Sequence, residues 1–354
     1  MARQVHQDGQ IDSPRLARNN FDLLRLLFAA SVCLVHAQEL SGFQELAPVT
    51  RFLSAAVAVK AFFVVSGFLI VMSHERSTSL ASYASKRVRR IYPAYCTVVT
   101  LCAVLLVAVS SKTAADYFSW AWVKYLGANL VFLNFLQPTL PGVFEANRLT
   151  AVNGALWTLK IEAMFYLLVP FLVFLFRRFS HRSVLLLVYC ASVAYSRLLA
   201  LAAEHDGSAL YLELGRQLPG QLSYFMGGAF LYYFRELFER RVGYFLVAAL
   251  AVLAIDTRYS LPLLEPLALA IVVVFLGLFL YVGNFAKYGD FSYGVYIIHF
   301  PIIQLLVQAR WFEESPWQFF AVFVLTTATG AIALWHLVEK RFLLRGSHYV
   351  TATP

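Results

Sequence analysis

The sequence predicts an all-α protein: a polytopic transmembrane helix bundle of about ten spans, drawn from eleven hydrophobic segments, with no soluble domain. Three observations carry this reading. Of 354 residues, 60% are hydrophobic and only 14% are charged, against roughly 25% charged in soluble domains, so there is too little polar surface to face water. Apolar stretches of about 20 residues recur, Phe52–Met72 and Leu263–Val282 among them, and that length matches a hydrocarbon core about 30 Å thick. The runs do not alternate polar and apolar residues as barrel strands would. Helices are then the structure that satisfies the backbone in lipid.

Taken in order, the segments are 21–40, 52–72, 91–110, 119–137, 157–176, 183–203, 218–235, 243–256, 263–283, 291–309 and 317–338. Positive charge gathers at Arg15/Arg18, at Lys86, Arg87, Arg89 and Arg90, at Arg177/Arg178/Arg182, at Arg235/Arg240/Arg241, and at Lys340/Arg341/Arg345. Lysine and arginine are retained on the cytoplasmic side, so neighbouring clusters should enclose an even number of spans. Every interval complies except 91–176, which encloses three. The weakest of these is 119–137, which carries Lys124, Asn129 and Asn134. It is expected to be short, interfacial or re-entrant, leaving ten spans in a cell (inner) membrane with both termini cytoplasmic. The domain plan is a polar cytoplasmic N-terminal segment (1–20), a membrane domain (21–342) and a short cytoplasmic tail (343–354).

The net charge of +9 fits lysines and arginines in cytoplasmic loops better than a nucleic-acid partner, for which no module is recognisable. Cys33, Cys96, Cys102 and Cys190 lack ligand or redox spacing and read as small apolar packers. Met1–Asn20 lacks a signal-peptide pattern, so the span from Phe21 is expected to be retained.

Within this apolar mass a few ionisable groups stand out. Arg25 and His36 are eleven residues apart, about three turns plus 20°, so they share one helix face some 16 Å apart. Asp22 can pair with Arg25 on that face. Burying such groups costs several kcal/mol unless they face a protein interior or an aqueous cavity, although Arg25 alone also suits an interfacial anchor. The pair Ser66-Gly67 inside an aromatic run lets helix backbones approach. Lys86-Arg87-Val88-Arg89-Arg90 at the next span's entrance is either a topology signal or a phosphate site, because arginine forks bind phosphate bidentately. In Leu156-Trp157-Thr158-Leu159-Lys160-Ile161-Glu162, a carboxylate begins an otherwise apolar span, with Tyr166 one turn later on its face. Glu162 either pairs with a cation or orients a histidine or a substrate hydroxyl. Ser292, Tyr296 and His299 form one polar stripe, and Pro301 frees a backbone carbonyl close to His299.

In this order, the five segments resemble the acyltransferase-3 family of integral membrane acyltransferases, over Phe21 to about Phe342. The resemblance implies about ten helices and transfer of an acyl group, usually acetyl, from cytoplasmic acyl-CoA to a sugar hydroxyl of a surface or exported glycan. It implies no permanently bound cofactor. On this reading Arg25, Arg87 and Arg90 hold the donor phosphates, and the pantetheine arm, some 15–20 Å long, reaches His36. His36 then serves as general base or acyl carrier, with Glu162 or His299 orienting it or the acceptor. Asp22, Ser66, Trp157, Tyr166, Ser292 and Tyr296 support the site. Two departures are visible: Arg341 stands where the family often has proline after Glu339, and the esterase-like domain of some members does not follow, so a separate periplasmic transferase is a possible partner beside the glycan and membrane lipid. The rivals are a glycan or lipid flippase, which no inverted internal repeat in this sequence supports, and a lipid or protein acyltransferase with an Asn/His pair, for which Asn129, Asn134 and Asn153 are present but none is tied to a histidine by helical spacing. No His-x-x-x-Asp, P-loop or close histidine pair is present, so soluble-type and metal catalysis are not expected.

Overall fold

The computed structural model describes residues 14–344. Met1–Ser13 and the tail from Arg345 lie outside the described residues, and with them most of the two predicted terminal segments. Helices make up most of the chain, and there is no strand among the described residues. The longer ones are α1 (Phe21–Ser41), α2 (Ala55–Glu75), α3 (Leu80–Leu105), a short α4 (Trp120–Leu130), α5 (Leu156–Arg178), α6 (His181–Asp206), α7 (Leu218–Tyr233), α8 (Val242–Asp256), α9 (Glu265–Leu278), α10 (Ser292–Ala309) and α11 (Pro316–Leu334), with shorter helical pieces and irregular chain between them. Among the described residues, seven helical stretches are long and apolar enough to cross a membrane. Helices α7, α8 and α9 have 16, 15 and 14 residues, or about 21–24 Å at 1.5 Å per residue, and occupy the positions of the remaining predicted spans.

The region 119–137 does not form a span. Its helix α4 has 11 residues, about 16 Å, and then gives way to irregular chain up to residue 155. Irregular backbone among apolar helices needs partners for its polar groups, and α10 supplies them from one face. Gln304 donates to the carbonyls of Leu149 (2.6 Å) and Ala151 (2.8 Å), and Asn147 donates to the Gln304 carbonyl (3.0 Å). One turn on, the Gln308 side chain accepts from the Phe144 amide (3.0 Å) and donates to the Val109 carbonyl (2.6 Å). The segment is thereby clamped over one end of the bundle.

Helix α3 starts earlier than the span at 91–110 suggests, because Ser79 caps it by accepting from the Ser82 amide at 3.1 Å. The basic cluster 86–90 therefore rides on a helix rather than a loop. At the other end of the bundle, α1 closes on Gly42, whose φ of +77° suits glycine and lets its amide reach the Gln38 carbonyl at 2.8 Å.

Packing is closest between α2 and α7. A Cβ on Gly67 would run into the Phe225 carbonyl, and one on Gly228 into the Val64 carbonyl. Each helix offers a glycine to the other's backbone, the close approach expected of the Ser66-Gly67 pair. Helix α1 lies along α10, where the Cys33 thiol faces the Val295 carbonyl at 3.7 Å. That seam brings the chain's first span against a segment more than 250 residues later.

Candidate active site

At the α1–α10 seam, His36 Nδ1 stands 2.9 Å from His299 Nε2, with the rings stacked at 5.2 Å. His299 is fully buried, and its Nδ1 lies 2.7 Å from the Tyr296 carbonyl. A carbonyl only accepts, so His299 Nδ1 carries the proton. In the neutral pair Nε2 of His299 must accept, and His36 Nδ1 therefore donates. The lone pair of His36 sits on Nε2, the atom left for chemistry. The half-buried His36 ring is flanked edge-on by Phe300 at 5.7 Å.

The anchoring of this pair begins at Pro301, inside α10. Lacking an N–H, it leaves the Ile297 carbonyl without its helical partner, and Asn153 donates to that carbonyl at 2.8 Å. The same amide accepts from the Ala155 backbone at 3.2 Å, tying the start of α5 to α10. One turn further, Thr158 of α5 and Tyr296 of α10 share a hydroxyl hydrogen bond of 2.7 Å. Gly154 leaves room for Phe300, whose Cζ would be 2.6 Å from an added Cβ. Asn153→Ala would orphan a buried carbonyl, costing about 1–3 kcal/mol. Its expected effect is a roughly tenfold lower kcat with donor KM unchanged, measured as acyl transfer by the purified protein.

From Tyr296 and Thr158 a cleft opens between α1, α2, α3, α5 and α10. It encloses about 780 Å³ including its mouth, and its walls include Phe62, Phe63, Ser66 and Glu162. At its far end are Arg25, Arg87 and Arg90. Asp290, 2% exposed, forms close ion pairs with both Arg25 and Arg90. It also accepts from the Ser292 amide at 3.1 Å and from the Ser292 hydroxyl, capping the first turn of α10. Asp22 pairs with Arg25 at 3.5 Å. Arg87 is held differently: one amino group donates to Ser73 at 3.1 Å, its Nε is buried without a partner, and its guanidinium lies 5.6 Å from the Tyr166 ring centre. Behind Arg90, at 3.8 Å, the buried Glu339 sits in a π-helical turn, Trp335–Glu339, a distortion frequent at functional sites.

Glu162 accepts from the Tyr166 hydroxyl at 2.7 Å, the pairing their spacing suggests, and it faces the cleft beside the arginines' end rather than bonding to either histidine. Pro170 frees the Tyr166 carbonyl, and the Tyr83 hydroxyl takes it at 3.1 Å. Of the expected residues, Arg25, Ser66, Arg87, Arg90, Glu162, Tyr166, Ser292 and Tyr296 line one cleft; His36 and His299 lie just behind its inner end, next to Tyr296. Trp157 is partly buried against the apolar core instead of lining the cleft. Sequence reasoning missed Asp290 and the packing of Glu339 against Arg90, and it weighed Asn153 only as a partner for a histidine, not for the Ile297 carbonyl. Only Asp290 left a signal, as an acidic residue just ahead of a helix start.

The family model described as an acyltransferase domain matches residues 18–336. The chain belongs to the acyltransferase-3 family. This membrane acyltransferase is 29% identical over 341 residues to a protein of Shigella phage Sf6 named O-acetyl transferase, covering 93% of this chain and 97% of that one. Over 354 residues it is 28% identical to Nodulation protein 10 of Rhizobium leguminosarum bv. viciae, covering 91% and 92% respectively. No solved structure matches it. The matched span takes in both histidines, the three arginines and Asp290.

Proposed function

We propose that this acyltransferase is an O-acetyltransferase of the cell inner membrane, with both termini cytoplasmic. It takes an acetyl group from acetyl-CoA at the cytoplasmic face and places it on a sugar hydroxyl of an exported or surface glycan. The observation that carries this reading is the single cleft, which runs from three arginines to the immediate neighbourhood of a histidine pair. Its ends are separated by about the length of a pantetheine arm, judged from the roughly 16 Å rise between Arg25 and His36. The name of the phage relative supports acetyl as the group and oxygen as the acceptor atom.

The donor phosphates rest at the arginine end, with Arg87 the principal contact because Asp290 already engages Arg25 and Arg90. The pantetheine arm lies along Phe62, Phe63 and Ser66. Nε2 of His36 takes the proton of the sugar hydroxyl as its oxygen attacks the thioester carbon; the C–S bond then breaks, and the thiolate leaves with that proton. The hydrogen bond from His36 Nδ1 to His299 becomes charge-assisted while the imidazole is protonated, which stabilises that state. Glu162, tied to Tyr166, orients Arg87 through the ring beneath it.

Membranes containing the protein, supplied with radiolabelled acetyl-CoA and cell-surface glycan, are expected to yield base-labile ester label; a flippase would yield none. Arg87→Ala is expected to raise donor KM by about 10–100-fold, from the 1.5–3 kcal/mol of a hydrogen bond to a charged group, with little change in kcat. An unchanged KM would remove Arg87 from phosphate binding.

A further inference from the structure

A second cavity adjoins the arginine end of the cleft and has no part in the chemistry described above. It encloses about 810 Å³ including its opening, and its walls include Asp22, Phe285, Tyr288, Asp290, Phe291 and Ser292. Ser292 lines both cavities, and Asp290 forms part of this wall while binding Arg25 and Arg90 of the other. We propose that this cavity is the subsite for the adenosine end of the donor, an inference that rests on acyl-CoA being the donor.

The connectivity of such a donor sets the requirement. Pantetheine and adenosine leave the pyrophosphate in opposite directions, so the base must lodge beside the arginines but outside the pantetheine cleft. The cavity meets that requirement. Its chemistry also suits a purine: Asp22 and Asp290 stand in its wall, and although Asp290 is taken up by Arg25, Arg90 and Ser292, an exocyclic amine donates readily to a carboxylate such as Asp22. Three aromatic rings provide faces for a base, and base–aromatic stacking tolerates ring substitution without needing edge recognition. Tyr288 is 63% exposed, unlike the buried tyrosines of the bundle, so its ring is accessible to a ligand. Over one face of that ring, Lys287 Nζ stands 4.6 Å from the Tyr288 ring centre and supplies a cation for a ribose phosphate. Charge is thus sorted by position, with arginines for the pyrophosphate, a carboxylate and rings for the base, and a lysine for the ribose phosphate.

The test compares two donors, acetyl-CoA and S-acetyl-4′-phosphopantetheine, which lacks the adenosine portion. Wild type is expected to use both, with a lower KM for acetyl-CoA. Tyr288→Ala is expected to raise the acetyl-CoA KM roughly tenfold, the scale of one lost stacking contact, and to leave the truncated donor's KM unchanged. Tyr288→Phe should behave as wild type. Equal KM values for the two donors in wild type, or an equal rise for both in Tyr288→Ala, would overturn the subsite. A wild type that turns over neither donor would overturn the donor assignment itself and the subsite with it.

Discussion

His36→Ala is expected to reduce acyl transfer by about 10²–10⁴-fold, the usual worth of a positioned general base, with binding of the donor unchanged. The reason lies in how its proton is placed. The Tyr296 carbonyl fixes the tautomer of His299, and His299 in turn holds the proton of His36 on Nδ1, which leaves Nε2 unprotonated. His299→Ala removes the acceptor but not the base, so a smaller loss is expected, again in kcat rather than donor KM. Titration calorimetry with CoA separates binding from chemistry, and thermal unfolding in detergent checks that both variants fold. Equal activity of His36→Ala and wild type in the same membranes would remove the histidine from the reaction.

Gly67→Ala should have the largest effect on the fold. The new methyl would meet the Phe225 carbonyl, and backbone, unlike a flexible side chain, cannot swing aside. Overpacking of this kind costs at least about 1–3 kcal/mol, and here it acts on a crossing built from reciprocal glycines, so moving one helix also disturbs the contact of Gly228 with Val64. The expected result is a marked loss of monodisperse protein after extraction and a lower Tm. Gly127→Ala provides the contrast: an added Cβ there meets nothing within 4 Å, and replacing glycine inside a helix favours the folded state. A Tm for Gly67→Ala equal to that of wild type would mean that α2 and α7 are not held at this spacing.

Features with local periodicity were legible before the structure. Apolar length located the helices, and charge parity singled out 119–137 as the region unable to span. Helical spacing put Asp22 with Arg25 and Glu162 with Tyr166, and the missing N–H of Pro301 pointed to a freed carbonyl beside His299. Partners distant in sequence were beyond such reasoning. No pattern in α1 says that His36 will meet His299, and nothing around Asn153 says that its amide will take the Ile297 carbonyl. Asp290 sits in a short loop, where helical spacing has no purchase, yet it organises two of the three arginines. The arginines were expected to act alike, but burial of one carboxylate between Arg25 and Arg90 sets Arg87 apart. Glu162 showed the limit of local reading from the other side: its spacing gave the tyrosine partner, while its position relative to the histidines depended on how α5 packs.

Sidedness tests the central claim most directly, that an acetyl group passes along this cleft from the arginine end to the histidine pair. Purified protein would be reconstituted in sealed vesicles of defined orientation, with radiolabelled acetyl-CoA confined to the side bearing the Arg87 end and glycan acceptor to the other. Ester label is expected on the glycan in this arrangement and not when donor and acceptor are exchanged. Label that forms only when donor and acceptor share one side would contradict passage through the bundle.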